Sequence, residues 1–348
     1  MTSTDGAVTD AAARAYARAR FGRLRTVADA LDRRPGRVLV AALAVAAAAL
    51  ALHSGVTPLA QVTVNGLVAG AYFALGAAGL TLVYGVLRLI NFAHGDMLTF
   101  GAYTTLLGTI GLGLPFLVAA LIGVAATAVV ALGFEKAIWG PLRRRKAKAL
   151  QMILAAIGLA FVIRHSIQIV AGTNPRGLGV DVTGSIALAG VRIGKTQLLV
   201  LGVGYAVLVA LGLMLRYTLL GKQLRALSDD PALAETSGID TARLVVVTQL
   251  LAGGLAGLAG ALFGASIGVI TPNVGFFLLL FLFAATILGG IGNAFGALAG
   301  GIALGLMQEW STLLVEARWK AAVGFVILIL VLIVRPQGLF GRARVAAR

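Results

Sequence analysis

Long apolar runs, interrupted by short polar stretches, follow one another along this 348-residue chain from residue 37 onward. A helix that crosses a bilayer needs about 20 predominantly apolar residues. We therefore predict an all-α polytopic membrane protein with about eight to ten transmembrane helices, some of them broken, and one short helix outside the membrane. The predicted spans are 37–53, 61–90, 99–112, 115–134, 150–171, 195–215, 244–270, 275–288, 294–307 and 321–334.

Composition and charge agree with this class of protein. Hydrophobic residues make up 59% of the chain and charged residues 12%, whereas a typical soluble domain has about 25% charged residues. The net charge of +16 does not indicate a nucleic-acid partner, because 22 of the 29 lysines and arginines fall in 1–37, 136–148, 216–243 and 335–348. Such clusters are typical of cytoplasmic segments, so both termini are expected in the cytoplasm and the spans in a lipid bilayer. The chain has no cysteine and therefore no disulfides.

The polar stretches divide the chain into regions. Residues 1–36 form a basic arm, interpreted either as an amphipathic segment on anionic lipid or as a loosely ordered cytoplasmic tail. Residues 37–341 form the transmembrane domain, with an external loop at 172–194 and a polar loop at 220–243, and residues 342–348 form a basic cytoplasmic tail. Within the external loop, partial alternation of apolar residues from Ser185 to Ile193 predicts a small hairpin.

The polar loop at 220–243, hereafter the polar island, carries the signals of a short capped helix. Asp229 and Asp230 are good N-cap residues, and Pro231 suits the first turn. A helix over 232–237 is predicted, with Gly238 as its stop. Because so short a helix is not stable by itself, the island is expected to pack against a partner.

Two further stretches break the apolar pattern. Asn91, His94 and Asp96 stand within six residues of one another in apolar surroundings. A turn between spans and a broken or re-entrant helix lining a pathway are both compatible with them, whereas a metal site is disfavoured because a single His and a single Asp are too few ligands. In the second stretch, Gly289, Gly290, Gly292 and Asn293 predict either a break between two short helices or a tight hairpin.

Four stretches of the chain resemble the membrane permease of branched-chain amino acid ABC importers. They are, in chain order, VNGLVAGAYFALGAAGLTLVYGVLRLINFAHGDMLTFGAY, GKQLRALSDDPALAETSGID, AATILGGIGNAFGALAGG and RPQGLFG. The resemblance covers nearly all of 61–341 and is greatest to the subunit type that carries Asn-Phe-Ala-His-Gly. Residues 1–55 extend beyond the family pattern.

The resemblance implies a transport subunit of the bacterial cytoplasmic (inner) membrane, not an enzyme, with no cofactor and no ATP site of its own. The implied partners are ATP-binding cassette subunits, a second permease subunit in a heterodimer and an external substrate-binding protein. The implied ATPase-coupling residues are Gly221, Arg225, Ala226, Asp229, Ala234, Glu235 and Gly238. The candidates for the path of a branched-chain amino acid are chosen by depth and polarity. They are Asn91, His94, Gly289, Gly290, Gly292 and Asn293.

Three alternatives remain. The first is a permease of the same type for another small polar solute, such as urea, a short amide or another amino acid. The second is an ion-coupled secondary transporter, which needs carboxylates at mid-membrane, where Asp96 and Glu309 are the only candidates and both are expected near an interface, as is Arg164. The third, an intramembrane enzyme, needs a nucleophile–base set or a metal cluster, and the sequence shows neither. The tripeptide ending at Thr196 does not complete a phosphate-binding loop, since Ala189 stands where the first glycine is needed.

Overall fold

The computed structural model describes residues 35–335 and 337–341. The predicted basic arm, apart from its last two residues, and the predicted tail at 342–348 lie outside the described residues. The described chain is a helical bundle with two short two-stranded sheets. The all-α fold predicted from the apolar pattern is therefore confirmed.

Helices account for most of the described chain, and their bounds follow the apolar runs. The first group comprises α1 (Pro35–Ser54), α2 (Val56–Leu87), α3 (His94–Leu106), α4 (Phe116–Phe134), α5 (Gly140–Arg144), α6 (Ala149–Ala171) and α7 (Lys195–Tyr217). The second group comprises α8 (Leu219–Asp229), α9 (Pro231–Thr236), α10 (Thr241–Ile267), α11 (Val274–Gly289), α12 (Ala294–Ser311) and α13 (Lys320–Val334). Single π-helical turns extend α3 through Leu107–Gly111 and join α4 to α5 through Glu135–Trp139, and a 3₁₀ turn, Ala317–Trp319, precedes α13.

Seven helices of the described chain are long and apolar enough to cross a membrane, or eight when the bent pair α11 and α12 is counted as one span. The count of eight lies at the lower end of the predicted range, and the count of seven lies just below it. The axes of α11 and α12 differ by 120° across the break at 290–293. The interruption between two helices, which both predicted alternatives share, is therefore present.

Helix α2 lies at the centre of the bundle and packs against α7, α10, α11 and α12. Small residues make the close approach possible, as is common where helices pack within a bilayer. A Cβ atom added to Gly70 would lie 2.9 Å from the Cα of Ile302, and one added to Gly66 would lie 2.9 Å from the Cα of Leu306. Gly66 and Gly70 therefore allow backbone-to-backbone packing of α2 with α12.

The bundle has two distinct ends. At one, the hairpin end, strands β2 (Ser185–Leu188) and β3 (Val191–Gly194) form the predicted hairpin, and β1 (Arg176–Gly177) pairs with β4 (Val269–Ile270). The polar island occupies the other, the island end, where the Arg88 guanidinium donates to the carbonyl oxygen of Ser228. This hydrogen bond joins the end of α2 to the island.

The polar island consists of two helices, of which the sequence pattern predicted one. The predicted short helix is α9, and it begins at Pro231 with Asp230 as its N-cap. The missed helix is α8, whose buried residues Gly221, Leu224 and Leu227 recur at intervals of three. That spacing gives a narrow apolar stripe, which is typical of a helix with one buried face. The stripe was present in the sequence but was overlooked among the surrounding polar residues.

We predict that Gly260→Ala in α10 lowers the melting temperature of the detergent-solubilised protein by several degrees. An added Cβ would overlap the carbonyl oxygen of Leu98 and lie 3.2 Å from the backbone nitrogen of Ala102, and overpacking of this kind costs about 1–3 kcal/mol. The matched control is Gly158→Ala in α6, where no atom lies within 4 Å of the added Cβ and the better helix propensity of alanine is the main effect. Equal melting temperatures for the two variants would contradict this packing.

Candidate functional site

The polar island carries a short helix, α9, that is capped at both ends. The Asp230 carboxylate accepts hydrogen bonds from the backbone nitrogens of Ala232 and Leu233, both at 3.0 Å. Helix α9 is then stopped by Gly238, whose φ of +79° lies in the left-handed region that favours glycine. This geometry exposes 64% of the Leu233 side chain at the island end. The sequence analysis did not single out Leu233, although an apolar residue in a short polar helix is a recognisable signal of contact.

The helix before it, α8, makes a tight corner with α7. The backbone nitrogen of Gly221 donates to the Thr218 hydroxyl at 3.1 Å, and Gly221 packs directly on the carbonyl groups of Met214 and Leu215. Any side chain at position 221 would overlap these carbonyls. The polar island is therefore held in a fixed orientation relative to the transmembrane helix α7.

The structure divides the seven predicted ATPase-coupling residues into three groups. Gly221 and Ala234 are buried within the chain. Arg225 and Asp229 are exposed residues that line a cavity beside the island. The remaining three, exposed at the island end, are Ala226, Glu235 and Gly238.

A cavity of about 550 Å³ lies between the island and the break that separates α11 from α12. Its lining includes Arg225 and Asp229 of α8 as well as Gly292 and Asn293 of the break. Residues that the sequence analysis assigned to ATPase coupling and to the substrate path therefore line the same cavity.

The break itself is closed by the end of the described chain. The backbone nitrogens of Leu339 and Phe340 donate to the carbonyl oxygens of Leu288 and Gly289, at 2.8 and 3.1 Å. Asn293 caps α12 by accepting from the backbone nitrogen of Gly296 at 3.1 Å, and its amide nitrogen donates to the Phe340 carbonyl at 3.0 Å. The polar groups freed by the break are thus bound largely within the chain.

Two of the predicted path glycines are enclosed by this packing. Gly289 lies against the backbone of Gly296, and Gly290, with a φ of +104°, lies against Gly341. Gly292 and Asn293, by contrast, border the cavity. The assignment of these residues to a substrate path stays a prediction.

The polar stretch at 91–96 forms the break that comes first along the chain, between α2 and α3. The Asn91 side chain accepts from the backbone nitrogen of Ala93 at 3.1 Å, and both Asn91 and His94 are at most 2% exposed. The His94 Nε2 atom donates to the Gly76 carbonyl at 3.0 Å. Because Gly76 lies three turns before the end of α2, the chain folds back into the bundle, and α3 begins at its interior.

Asp96 and Arg164, both expected near an interface, form a buried ion pair with each other. Two nitrogens of the guanidinium donate to the two carboxylate oxygens at 2.9 Å each, and Asp96 is fully buried. The guanidinium also lies 4.7 Å from the centroid of the Phe276 ring. The sequence analysis treated Asp96 and Arg164 as separate polar residues, whereas each supplies the counter-charge that lets the other be buried.

The remaining carboxylates of the transmembrane helices are also bound. Glu135, in the π-helical turn after α4, accepts a hydrogen bond from the side-chain amide of Gln249 at 2.9 Å and pairs with Arg143. Glu309 near the end of α12 pairs with Lys320 at 2.6 Å. The sequence analysis did not predict these contacts, which join residues 8 to 114 positions apart.

Comparisons with known proteins identify the family. The model of a family described as the permease component of branched-chain amino acid transport systems matches residues 62–332. The chain belongs to this permease family. It is 33% identical to the high-affinity branched-chain amino acid transport permease BraD of Pseudomonas aeruginosa, over 82% of this chain and 96% of BraD.

Two permeases of Escherichia coli K12 distinguish the subunit type. LivH is 32% identical over 81% of this chain and 95% of LivH. LivM is 26% identical over 78% of this chain and 68% of LivM. The permease is therefore more similar to the LivH type, in agreement with the resemblance carried by Asn-Phe-Ala-His-Gly.

We predict that Asp96→Asn or Arg164→Met alone destabilises the permease strongly, whereas the double variant is much less affected. Removing one partner leaves the other charge buried and unpaired, which typically costs 3–5 kcal/mol, whereas removing both does not. Thermal unfolding in detergent measures the effect. Additive losses in the double variant would show that Asp96 and Arg164 do not act as a pair.

Proposed function

We propose that this chain is the membrane-spanning permease subunit of a binding-protein-dependent ABC importer for branched-chain amino acids. The family match over 62–332 is the observation that carries the proposal. BraD and LivH are both named as high-affinity branched-chain amino acid transport permeases. ATP is hydrolysed by separate ATP-binding cassette subunits, and the pathway is completed by a second permease subunit in a heterodimer that receives substrate from an external binding protein.

The island end faces the cytoplasm in this proposal, and the membrane is the bacterial inner membrane. The basic segments that the structure describes lie at the island end. Arg143 pairs with Glu135, which is bound to Gln249 in the first half of α10, the helix that follows the island. Gly341, at the end of the described chain, packs on Gly290 in the break that borders the cavity. Positive charge concentrated at one end is typical of the cytoplasmic side. Both chain termini are then cytoplasmic.

The ATPase contact is centred on α9. Leu233 supplies an exposed apolar side chain, and Glu235 and Gly238 are also exposed. The tight corner at Gly221 and the Arg88–Ser228 hydrogen bond transmit a push on α9 to α7 and α2. The structure thus supports a mechanical link from the island to the transmembrane helices.

For the substrate path we retain Asn91 and His94 within the bundle, together with Gly292 and Asn293 at its cavity-lined exit. The Nδ1 atom of His94 is buried and has no hydrogen-bond partner in the described part of the chain, so it is available as an acceptor for an ammonium group. Gly289 and Gly290 instead allow the end of α11 to pack closely against Gly296 of α12 and against Gly341.

Two alternative functions differ from this proposal, one in its energy source and the other in its substrate. An ion-coupled transporter needs a free carboxylate within the spans, but Asp96 and Glu309 are both in ion pairs. A permease for urea or a short amide is distinguished by uptake of labelled L-leucine in the presence of excess unlabelled urea. Undiminished, ATP-dependent leucine uptake supports the proposed substrate, and competition by urea overturns it.

We predict that Leu233→Asp abolishes co-purification of the ATP-binding cassette subunits in detergent, because a charge replaces the apolar side chain at the contact. Leu188→Asp is the matched control, since Leu188 is 68% exposed at the hairpin end. Retention of the ATPase by both variants would contradict the placement of the contact on α9. Its absence even from the unsubstituted permease would contradict the proposed function.

A further inference from the structure

The cavity beside the island has the lining of a site for a small zwitterion. Its volume of about 550 Å³ falls within the range of about 300–1,000 Å³ typical of small-molecule pockets. The wall on one side is the end of α2, and the opposite walls are α8 and residues 291–295. The cavity lies at the exit of the proposed substrate path, and the ATPase contact does not by itself account for it.

The floor of the cavity is apolar except for one hydroxyl group. Leu82, Val86 and Leu224 line it and are buried. Thr81 also lines the cavity and is 1% exposed, yet its hydroxyl has no hydrogen-bond partner in the described chain. The Ala77 carbonyl, one helical turn before Thr81, is approached by the Thr286 hydroxyl at 3.4 Å instead. Buried hydroxyl groups normally have partners, so the unpaired Thr81 hydroxyl remains available to donate to an occupant.

The rim of the cavity carries charges of both signs. Arg88, Arg225 and Asp229 line it and are exposed to solvent. Arg225 and Asp229 lie one turn apart on α8 but form no ion pair with each other or with another side chain that the structure describes. A ligand with both a carboxylate and an ammonium group would neutralise these charges. The phosphate of an anionic lipid would pair with the arginines but would leave Asp229 without a partner.

We propose that this cavity binds a free amino acid with an aliphatic side chain and that its occupation slows ATP-driven turnover. The carboxylate binds Arg88 and Arg225, the ammonium group binds Asp229, and the side chain enters the apolar floor. The braking effect rests on the proposed function, because the island end is then the side on which product is released. An occupant bridges α8 and the break, so movement of the island relative to α12 requires its departure.

Binding of radiolabelled L-leucine to the full-length permease in lipid nanodiscs, without partner subunits, tests the site directly. Saturable binding is expected, with much weaker competition by 3-methylbutylamine, which lacks the carboxylate, and by 4-methylpentanoate, which lacks the ammonium group. Thr81→Val removes only the hydroxyl and should lower the affinity roughly fivefold. The matched control is Thr127→Val, whose buried hydroxyl donates to the Gly123 carbonyl away from the cavity.

The regulatory effect is measured on the complete importer in inside-out proteoliposomes, with the binding protein and L-leucine enclosed. L-Leucine added outside with ATP should slow ATP hydrolysis, and Thr81→Val should shift this inhibition to higher concentrations. Absence of saturable binding, or unchanged affinity in Thr81→Val, overturns the site, and normal binding without an effect on hydrolysis overturns the braking role. Since binding is measured on the permease alone, its failure leaves the ATPase contact untouched, and loss of ATPase co-purification leaves the binding result standing.

Discussion

Every backbone N–H and C=O group in apolar surroundings needs a hydrogen-bond partner, and this requirement determines where the helices of the permease can break. At the first break, Asn91 binds the backbone of Ala93 and His94 binds Gly76 of α2. At the second, Asn293 caps α12 while Leu339 and Phe340 donate to α11. The end of the described chain is thus part of the transmembrane structure, and the interruptions that give the bundle its polar interior surfaces are stable because the chain itself closes them.

The same requirement explains why the island and the transmembrane helices form one unit. Glycine at 221 lets α8 turn directly against the last carbonyl groups of α7, and Arg88 at the end of α2 donates to Ser228. The cavity then lies between α8 and the second break. A displacement of α9 therefore reaches α2 and α7 through short, well-defined contacts, which is the arrangement that a transport subunit driven by separate ATPases needs.

The sequence predicted those features that depend on local chemistry. The capped helix α9, the hairpin at the opposite end and the 120° break follow from Asp230, from an alternating segment and from clustered glycines. Features that join distant residues were missed, because periodicity carries no information about pairing. The Asp96–Arg164 pair spans 68 positions, and the Glu135–Gln249 contact spans 114. The cavity escaped sequence analysis for the same reason, since its walls come from five separate parts of the chain.

The central claim, that the island is the contact with an ATPase, is tested most directly by cross-linking. The chain has no cysteine, so Leu233→Cys introduces a single thiol at the island end and Leu188→Cys one at the hairpin end. With a short thiol-to-amine cross-linker, membranes containing the complete importer should yield an adduct of permease and ATP-binding cassette subunit from Leu233→Cys only. An ATPase adduct from Leu188→Cys, or none from Leu233→Cys in an importer that still transports, would contradict the account.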